Sequence, residues 1–259
     1  MRRSGGVPSH VLLMRKKQPK MVSTTIDKTL DRVRWIDSAG TVQQRAADPT
    51  LLDAGIIAGR PIRKPGRYRG QKNYPGKHWF ASSEAHIPFE SMLERSALMR
   101  IDFALDVVAI AAQPVKIFFA DGGSTVPDFL AEHRDGSQTI FEVKSASALT
   151  EEKLAKFAQS KKVCGKVGWG FEVLTECDVI TMDNLELLAA YRHPLYLPIR
   201  EVRDRILAAA RKPLTLREGA IASGLPIRNG YAAIYHLAWR QALSLNLTAP
   251  ITNLTAITA

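Results

Sequence analysis

The chain has 259 residues, 46% of them hydrophobic and 24% charged, enough for one large domain or two modest ones with real cores. Its two cysteines, Cys164 and Cys177, have no Cys or His partners at metal-ligand spacing, which argues against zinc and against a disulfide framework and fits a reducing cytoplasm. The net charge is +11, and the whole excess lies in the first third: residues 1–80 hold 17 Lys and Arg against 5 Asp and Glu, while residues 81–259 hold 19 against 20.

No apolar run reaches a membrane-spanning length, and His10–Met14 is too short for a signal peptide. Residues 1–22 read as a disordered tail, with Met14 and Met21 as alternative starts. Residues 23–83 read as a basic arm, with short helices expected at Thr25–Ile36 and Thr50–Ala58. Between Arg60 and Lys77 stand seven basic residues and no acidic one, interleaved with Tyr68, Tyr74 and six Gly or Pro. Such a stretch is either a solvated linker or an arm lying on a phosphate backbone, where it gains affinity by counterion release. Arg63, Lys64, Arg67, Arg69, Lys72 and Lys77 are the candidate contacts.

A helix is expected from Pro88, which suits a first turn. Phe89, Met92, Leu93, Ala97 and Leu98 give it an apolar stripe at helical spacing. Glu90 and Glu94 lie four apart on one face, where like charges repel. Either the flank is exposed or one of the two serves as a site carboxylate. Strands follow at Asp106–Gln113, Val115–Ala120, Thr125–Glu132 and Thr139–Lys144, with a tight turn at Asp121-Gly122-Gly123-Ser124.

The last two strands read as a hairpin across His133–Ser137. Side chains alternate along a strand, so Glu142 and Lys144 share one face. Asp128, on the neighbouring strand, converges on them. Two carboxylates and an ammonium on one patch of sheet suit a hard divalent cation bound through oxygen, with the lysine orienting a water or neutralising a phosphate. The bland alternative is a solvated Glu–Lys ion pair. An acidic-x-Lys triplet arises by chance in a chain of this length, and Glu151-Glu152-Lys153 is a second one, placed on a helix.

That helix starts at the N-cap Thr150 and runs to about Val163, with Leu154, Phe157 and Ala158 inward. Lys153, Lys156, Lys161 and Lys162 lie on its other face, for solubility or as a wall facing DNA. Trp169–Leu174 is a further strand. Helix, antiparallel meander, helix, strand is the order of an α/β restriction-endonuclease-like core, here over residues 84–182.

Residues 183–259 change character. Helices are expected at Asn184–Arg192, Arg200–Arg211, Leu216–Ser223 and Asn229–Leu243, with an extended linker at His193–Pro198. Two strands, Leu243–Thr248 and Ile251–Ile257, complete a winged helix-turn-helix whose turn is Gly224-Leu225-Pro226. From Leu195 onward there are eight basic and three acidic residues. Arg228, Asn229 and Arg240 could meet DNA, or the unit could bind protein.

Several short motifs in fixed order resemble the TnsA-type endonuclease subunit of heteromeric transposases, within the PD-(D/E)xK nucleases. They are Phe89–Arg95, Ile101-Asp102-Phe103, Val108–Pro114, Val126–Leu130, Phe141–Lys144 and Trp169–Glu176. The resemblance covers about residues 60–180, and the C-terminal winged helix adds to it. It implies that Glu94 is the helical metal-binding glutamate, Asp128 the central bridging aspartate, Lys144 the catalytic lysine, and that Glu142 and the Val143 carbonyl complete a Mg²⁺ site, with Mn²⁺ as substitute. Glu90 has no such counterpart. The implied activity is cutting of the non-transferred strand at transposon 5′ ends in double-stranded DNA. The implied partners are a TnsB-like DDE transposase and a TnsC-like AAA+ ATPase. A stand-alone PD-(D/E)xK nuclease and a non-catalytic winged-helix DNA-binding protein are the alternatives.

Overall fold

The computed structural model describes residues 29–63, 74–104 and 106–259. The expected tail and the arm residues Lys64, Arg67, Arg69 and Lys72 lie outside them.

The described chain opens with two strands, β1 (Arg32–Ile36) and β2 (Val42–Ala46), rather than with the helix expected up to Ile36. The period is two: Val33 and Trp35 are buried while Arg32, Arg34 and Ile36 face outward. Asp37 closes the hairpin by accepting from the Thr41 backbone N–H at 2.8 Å, and Gly40 supplies a φ of +87°. In place of a helix over Thr50–Ala58 there is a single 3₁₀ turn at Pro49–Leu51, capped by Asp48.

Next come β3 (Gly76–Phe80) and β4 (Ala85–Phe89), a two-stranded hairpin that includes Lys77 and Pro88. Pro88 therefore sits in a strand, and helix α1 (Met92–Phe103) starts later, on the N-cap Ser91, whose hydroxyl accepts from the Glu94 N–H. Met92 is half exposed, while Ala97, Leu98, Met99 and Ile101 carry the packing.

The expected meander is split between two sheets. β5 (Val107–Ala112) is followed by Gln113 at φ +47° and Pro114, which turn the chain out of the sheet. β6 (Val115–Phe118) then pairs with β1, and β7 (Ser124–Thr125) with β6. Val126-Pro127-Asp128 interrupts the strand expected from Thr125, since proline cannot donate to a ladder. β8 (Phe129–His133) resumes and pairs with β5. β9 (Gln138–Val143), α2 (Glu151–Val167) and β10 (Gly170–Leu174) follow. β10 runs parallel to β9, so the two sheets are ordered β2-β1-β6-β7 and β10-β9-β8-β5.

Alternation along β8 and β9 sends side chains to two cores. Leu130 and Ile140 pack with α2 (Val163, Cys164, Val167) and with the first sheet (Val33, Trp35, Val115, Ile117). Phe129, Ala131, Phe141 and Val143 pack with α1 and the β3–β4 hairpin. The inward face of α2 is Phe157, Ser160, Val163, Cys164 and Val167; Leu154 and Ala158, expected inward, are exposed. The helix continues to Gly168, whose φ of +95° stops it.

The C-terminal third begins earlier than expected. α3 (Val179–Ala189) is capped by Asp178, and Leu185 and Leu188 join the C-terminal core. The expected boundary at 182/183 falls inside this helix. Residues 193–198 hold a 3₁₀ turn (Pro194–Tyr196) rather than an extended linker. The elements that follow are α4 (Arg200–Ala209), β11 (Leu214–Thr215), α5 (Leu216–Ala222), α6 (Ile227–Trp239), β12 (Ser244–Leu245) and β13 (Ala256–Thr258). The last two are far shorter than expected. β11, too short to show as a pattern in the sequence, completes a sheet ordered β11-β13-β12. Asn184 of α3 takes over the backbone that longer strands would have paired. Its side chain donates to the Leu247 and Ala249 carbonyls and accepts from the Ile251 N–H. α5 and α6 cross closely at Gly230, where a Cβ would lie 2.5 Å from the Ala220 carbonyl oxygen.

Candidate active site

The β8–β9 register pairs Phe129 with Phe141. One step further along this antiparallel ladder sets Asp128 opposite Glu142. Asp128 therefore lies one residue before β8, and it is fixed there by its own side chain: Oδ2 accepts from the Val143 backbone N–H at 2.7 Å. Its carbonyl accepts from the Gln113 N–H at 2.7 Å, which anchors the same residue to the end of β5.

Asp128, Glu142 and Lys144 open into one cleft of about 390 Å³ on the α2 side of the sheet. Arg63, Lys116, Lys153 and Lys156 line it too, with Ser124 and Thr125 at the β7 edge. The structure thus brings together three of the four expected catalytic residues. It adds a ring of cations that the sequence did not assign to them. Lys153 belongs to the second acidic-x-Lys triplet; its Glu151 is exposed on the first turn of α2. Helical spacing carries the signal for Lys153, Lys156 and Phe157, which sit three or four apart on one side.

Both carboxylates are nearly buried, Asp128 at 7% and Glu142 at 4% exposed. Burial is the main cause that raises each above the ordinary carboxylate range. Glu142 is pushed up to about 7, with the charge of Asp128 adding to burial and Lys144 and Lys156 opposing it. For Asp128 the Val143 N–H, Lys144 and Arg63 oppose the rise. Cys164 lies beneath, fully buried, and burial together with Glu142 pushes its thiol up to about 12. It has no nucleophilic character.

Glu94 is elsewhere. It sits on α1, which packs on the opposite face of the sheet, and its carboxylate bonds back to the Glu90 N–H (2.7 Å) and the Ser91 hydroxyl (3.1 Å). Burial first, then the field of Asp128, raises it, so it stands within electrostatic reach of the cleft without lining it. Glu90, to which the resemblance gives no role, lies between. Its Oε2 accepts from Arg63 at 2.8 Å, and its Oε1 is buried without a partner.

Among the described residues, no three His, Cys, Asp or Glu side chains stand close enough to hold one ion. Asp128 and Glu142 could hold a divalent cation together with a backbone carbonyl such as that of Val143. The fit is chemical: two desolvated carboxylates, with Asp128 raising Glu142, and an orphaned carboxylate oxygen on Glu90 nearby offer the oxygen donors that a hard divalent cation takes.

Of the other expected contacts, Lys77 is exposed on β3, and Arg228 and Asn229 are exposed on the first turn of α6. Arg240 follows the opposite end of that helix, roughly 20 Å away, so the three do not form one patch. Lys161 and Lys162 do not line the cleft; Lys162 lines a separate one with Asp31 and Lys166.

Residues 104–176 match the family model of the TnsA-like endonuclease N-terminal domain. Over this segment the chain is similar to the TnsA-like endonucleases. The match contains Asp128, Glu142 and Lys144 and stops short of Glu94 on α1. No curated protein matches the chain. No helix among the described residues is long and apolar enough to cross a membrane.

Proposed function

We propose that the chain is a divalent-metal-dependent DNA endonuclease that serves as the nuclease subunit of a heteromeric transposase and cuts the non-transferred strand at transposon 5′ ends. The observation that carries the nuclease reading is the convergence of Asp128, Glu142 and Lys144 in one cation-rimmed cleft inside the TnsA-like segment. Bound Mg²⁺ or Mn²⁺ would supply Lewis acidity and a sink for charge on the phosphate. Asp128 and Glu142 would hold it, with the Val143 carbonyl. Lys144, on the strand face beside Glu142, orients the attacking water and neutralises charge building on the phosphorane oxygens. Arg63, Lys116, Lys153 and Lys156 seat the phosphates on either side. Glu94 keeps α1 capped and adds negative potential from the far side.

The C-terminal order α4-β11-α5-α6-β12-β13, with β13 between β11 and β12, supports a winged helix that docks duplex through the exposed start of α6. The transposon ends, a TnsB-like DDE transposase and a TnsC-like AAA+ ATPase as partners, and a cytoplasmic, nucleoid-bound location follow from the family resemblance. The test is nicking of end-labelled duplex by the purified protein with Mg²⁺, Mn²⁺ or EDTA, with and without such partners. Metal-dependent nicking that Glu142→Gln removes is the expected result. Nicking that persists in EDTA or in the variant would overturn the site.

A further inference from the structure

The outer face of the N-terminal sheet carries a second cationic surface, continuous with the cleft, whose two arginines lie outside the TnsA-like match. Across the β1–β6 ladder Arg32 stands opposite Phe118 and Arg34 opposite Lys116. The three cationic heads surround a single ring. Arg32 Cζ lies 5.3 Å, Arg34 Cζ 4.9 Å and Lys116 Nζ 5.1 Å from the Phe118 centroid. No two of them can then be more than about 10 Å apart, close to one screening length at physiological salt.

Directly opposed like charges on neighbouring strands destabilise a sheet. A protein normally relieves them with a carboxylate, and here none is offered. Among the described residues, Arg32, Arg34 and Lys116 make no ion pair. Arg34 has only the Gln44 side-chain oxygen at 2.8 Å, and Arg32 Nε is buried with no hydrogen-bond partner. The acidic residues that are near in sequence are engaged elsewhere. Asp31 binds Lys166 and the Ala120 N–H, and Asp121 accepts from Gln159. The ring offers each cation a modest attraction, about 0.5–1 kcal/mol where exposed. That orders the heads without neutralising them.

Lys116 belongs to both surfaces: it stacks on Phe118 and lines the cleft that holds Asp128 and Glu142. A rigid row of cations leading away from a phosphodiester-cutting site has the form of a track for the flanking backbone phosphates. We propose that the β1–β6 face, through Arg32, Arg34 and Lys116 around Phe118, binds the sugar–phosphate backbone of duplex DNA beside the scissile position. The ligand class rests on the nuclease reading above; the surface itself does not.

The test uses the full chain and a short fluorescein-labelled DNA duplex, with binding followed by anisotropy in EDTA over a salt series. Both arginines face outward from the sheet, so the double variant Arg32→Glu/Arg34→Glu should keep the wild-type fold by circular dichroism. It should weaken binding about tenfold or more at low salt. The slope of log K against log salt should become shallower by about 0.9 for each phosphate no longer neutralised, close to 2 for the pair. Arg32→Lys/Arg34→Lys should retain both affinity and slope, and Arg32→Gln/Arg34→Gln, the milder neutralisation, should fall between. Unchanged affinity and slope in the charge-reversed protein would overturn the proposal, as would failure of the wild type to bind duplex at low salt. Hydrolysis of bis(p-nitrophenyl) phosphate with Mn²⁺, a substrate too small to reach the track, reports separately on the cleft. Loss of duplex binding with no hydrolysis by any form, with or without the partners, would sink the nuclease reading and leave the surface standing. Normal hydrolysis with unchanged duplex binding would do the reverse.

Discussion

The Val143 backbone N–H donates a 2.7 Å hydrogen bond to Asp128 Oδ2, tying the residue before β8 to the strand that carries Glu142 and Lys144. This bond does two things at once. It holds Asp128 opposite Glu142 where Pro127 has broken the ladder, and it favours the ionised form of a carboxylate that burial disfavours.

The first prediction separates these roles. Asp128→Asn retains an acceptor for Val143 and should fold with a melting midpoint near that of the wild type. It should cut DNA at least about a hundredfold more slowly, beyond the range for removing a mere supporting group around a metal. Asp128→Ala should lose the same activity and some stability besides, about 1–3 kcal/mol for the backbone donor left buried and unpaired. Cleavage rates under Mn²⁺ and denaturant midpoints for both variants are the measurements. An Asn variant that cuts normally would remove Asp128 from the site.

The two acidic-x-Lys triplets provide the second. Glu151 is exposed on the helix N-terminus, so Glu151→Ala should leave cleavage nearly unchanged. Lys153→Ala and Lys156→Ala should each lower kcat/KM about tenfold or more, since on the proposed reading each removes a cation that would seat a phosphate in the cleft. Steady-state cleavage of one duplex by the three variants decides it. Equal losses for Glu151 and Lys153 would point to a disturbed helix rather than to a phosphate wall.

The hairpin that carries Glu142 and Lys144 was legible in the sequence because alternation and a turn signal coincide at Thr139–Lys144. So were the helix start at Thr150 and the break between two helices at Gly224. What was not legible depends on contacts between distant segments. Nothing local in Val115–Phe118 tells that it pairs with Arg32–Ile36 rather than with its neighbour β5; the exit at Gln113 and Pro114 decides it. Nor does local sequence tell that Glu94 spends its carboxylate on its own helix start, or that Lys153 reaches the cleft. Asp102, fully buried, accepts from His78 and the Ala81 N–H and thereby clasps the β3–β4 hairpin to α1. In the sequence it is one acidic residue in a motif.

The third prediction concerns pH. Burial and Asp128 raise Glu142 from its ordinary 4.5 to about 7, so the folded chain holds that proton where the unfolded chain has released it. Below about pH 4.5 both states are protonated and Glu142 adds no penalty. As pH rises through 4.5 to about 7 the penalty grows, and above that it is constant, on the order of 3 kcal/mol. In EDTA, Glu142→Gln should therefore be more stable than the wild type at pH 8 and similar to it near pH 4. Adding Mn²⁺ should stabilise the wild type at pH 8 and leave the variant largely unaffected, because a bound cation supplies the missing charge. Urea midpoints across pH with and without metal are the check. A variant with no stability gain at pH 8 would mean that Glu142 is not ionised against its surroundings.

The last prediction concerns dependence on partners. On the proposed winged-helix reading, base contacts would fall to the exposed start of α6, where Arg228 and Asn229 stand and from which Arg240 is remote. A good bidentate base contact discriminates by about 1–3 kcal/mol. Two such contacts fall short of what a genome of competing sites demands of a specific binder. Arg32, Arg34, Lys116 and the α2 lysines add affinity but read phosphate, which is the same in every sequence. On the proposed function, targeting would come from a protein already bound at the ends, and the family resemblance points to a TnsB-like transposase with a TnsC-like ATPase licensing it. The isolated chain should therefore bind duplexes of unrelated sequence with similar, salt-sensitive affinity and nick them poorly. Adding cognate partners and end DNA should give cleavage confined to the 5′ strand at the transposon boundary, mapped on sequencing gels. Efficient double-strand cutting at one recognition sequence by the lone chain would instead make it an autonomous nuclease, with base contacts that α6 alone does not provide.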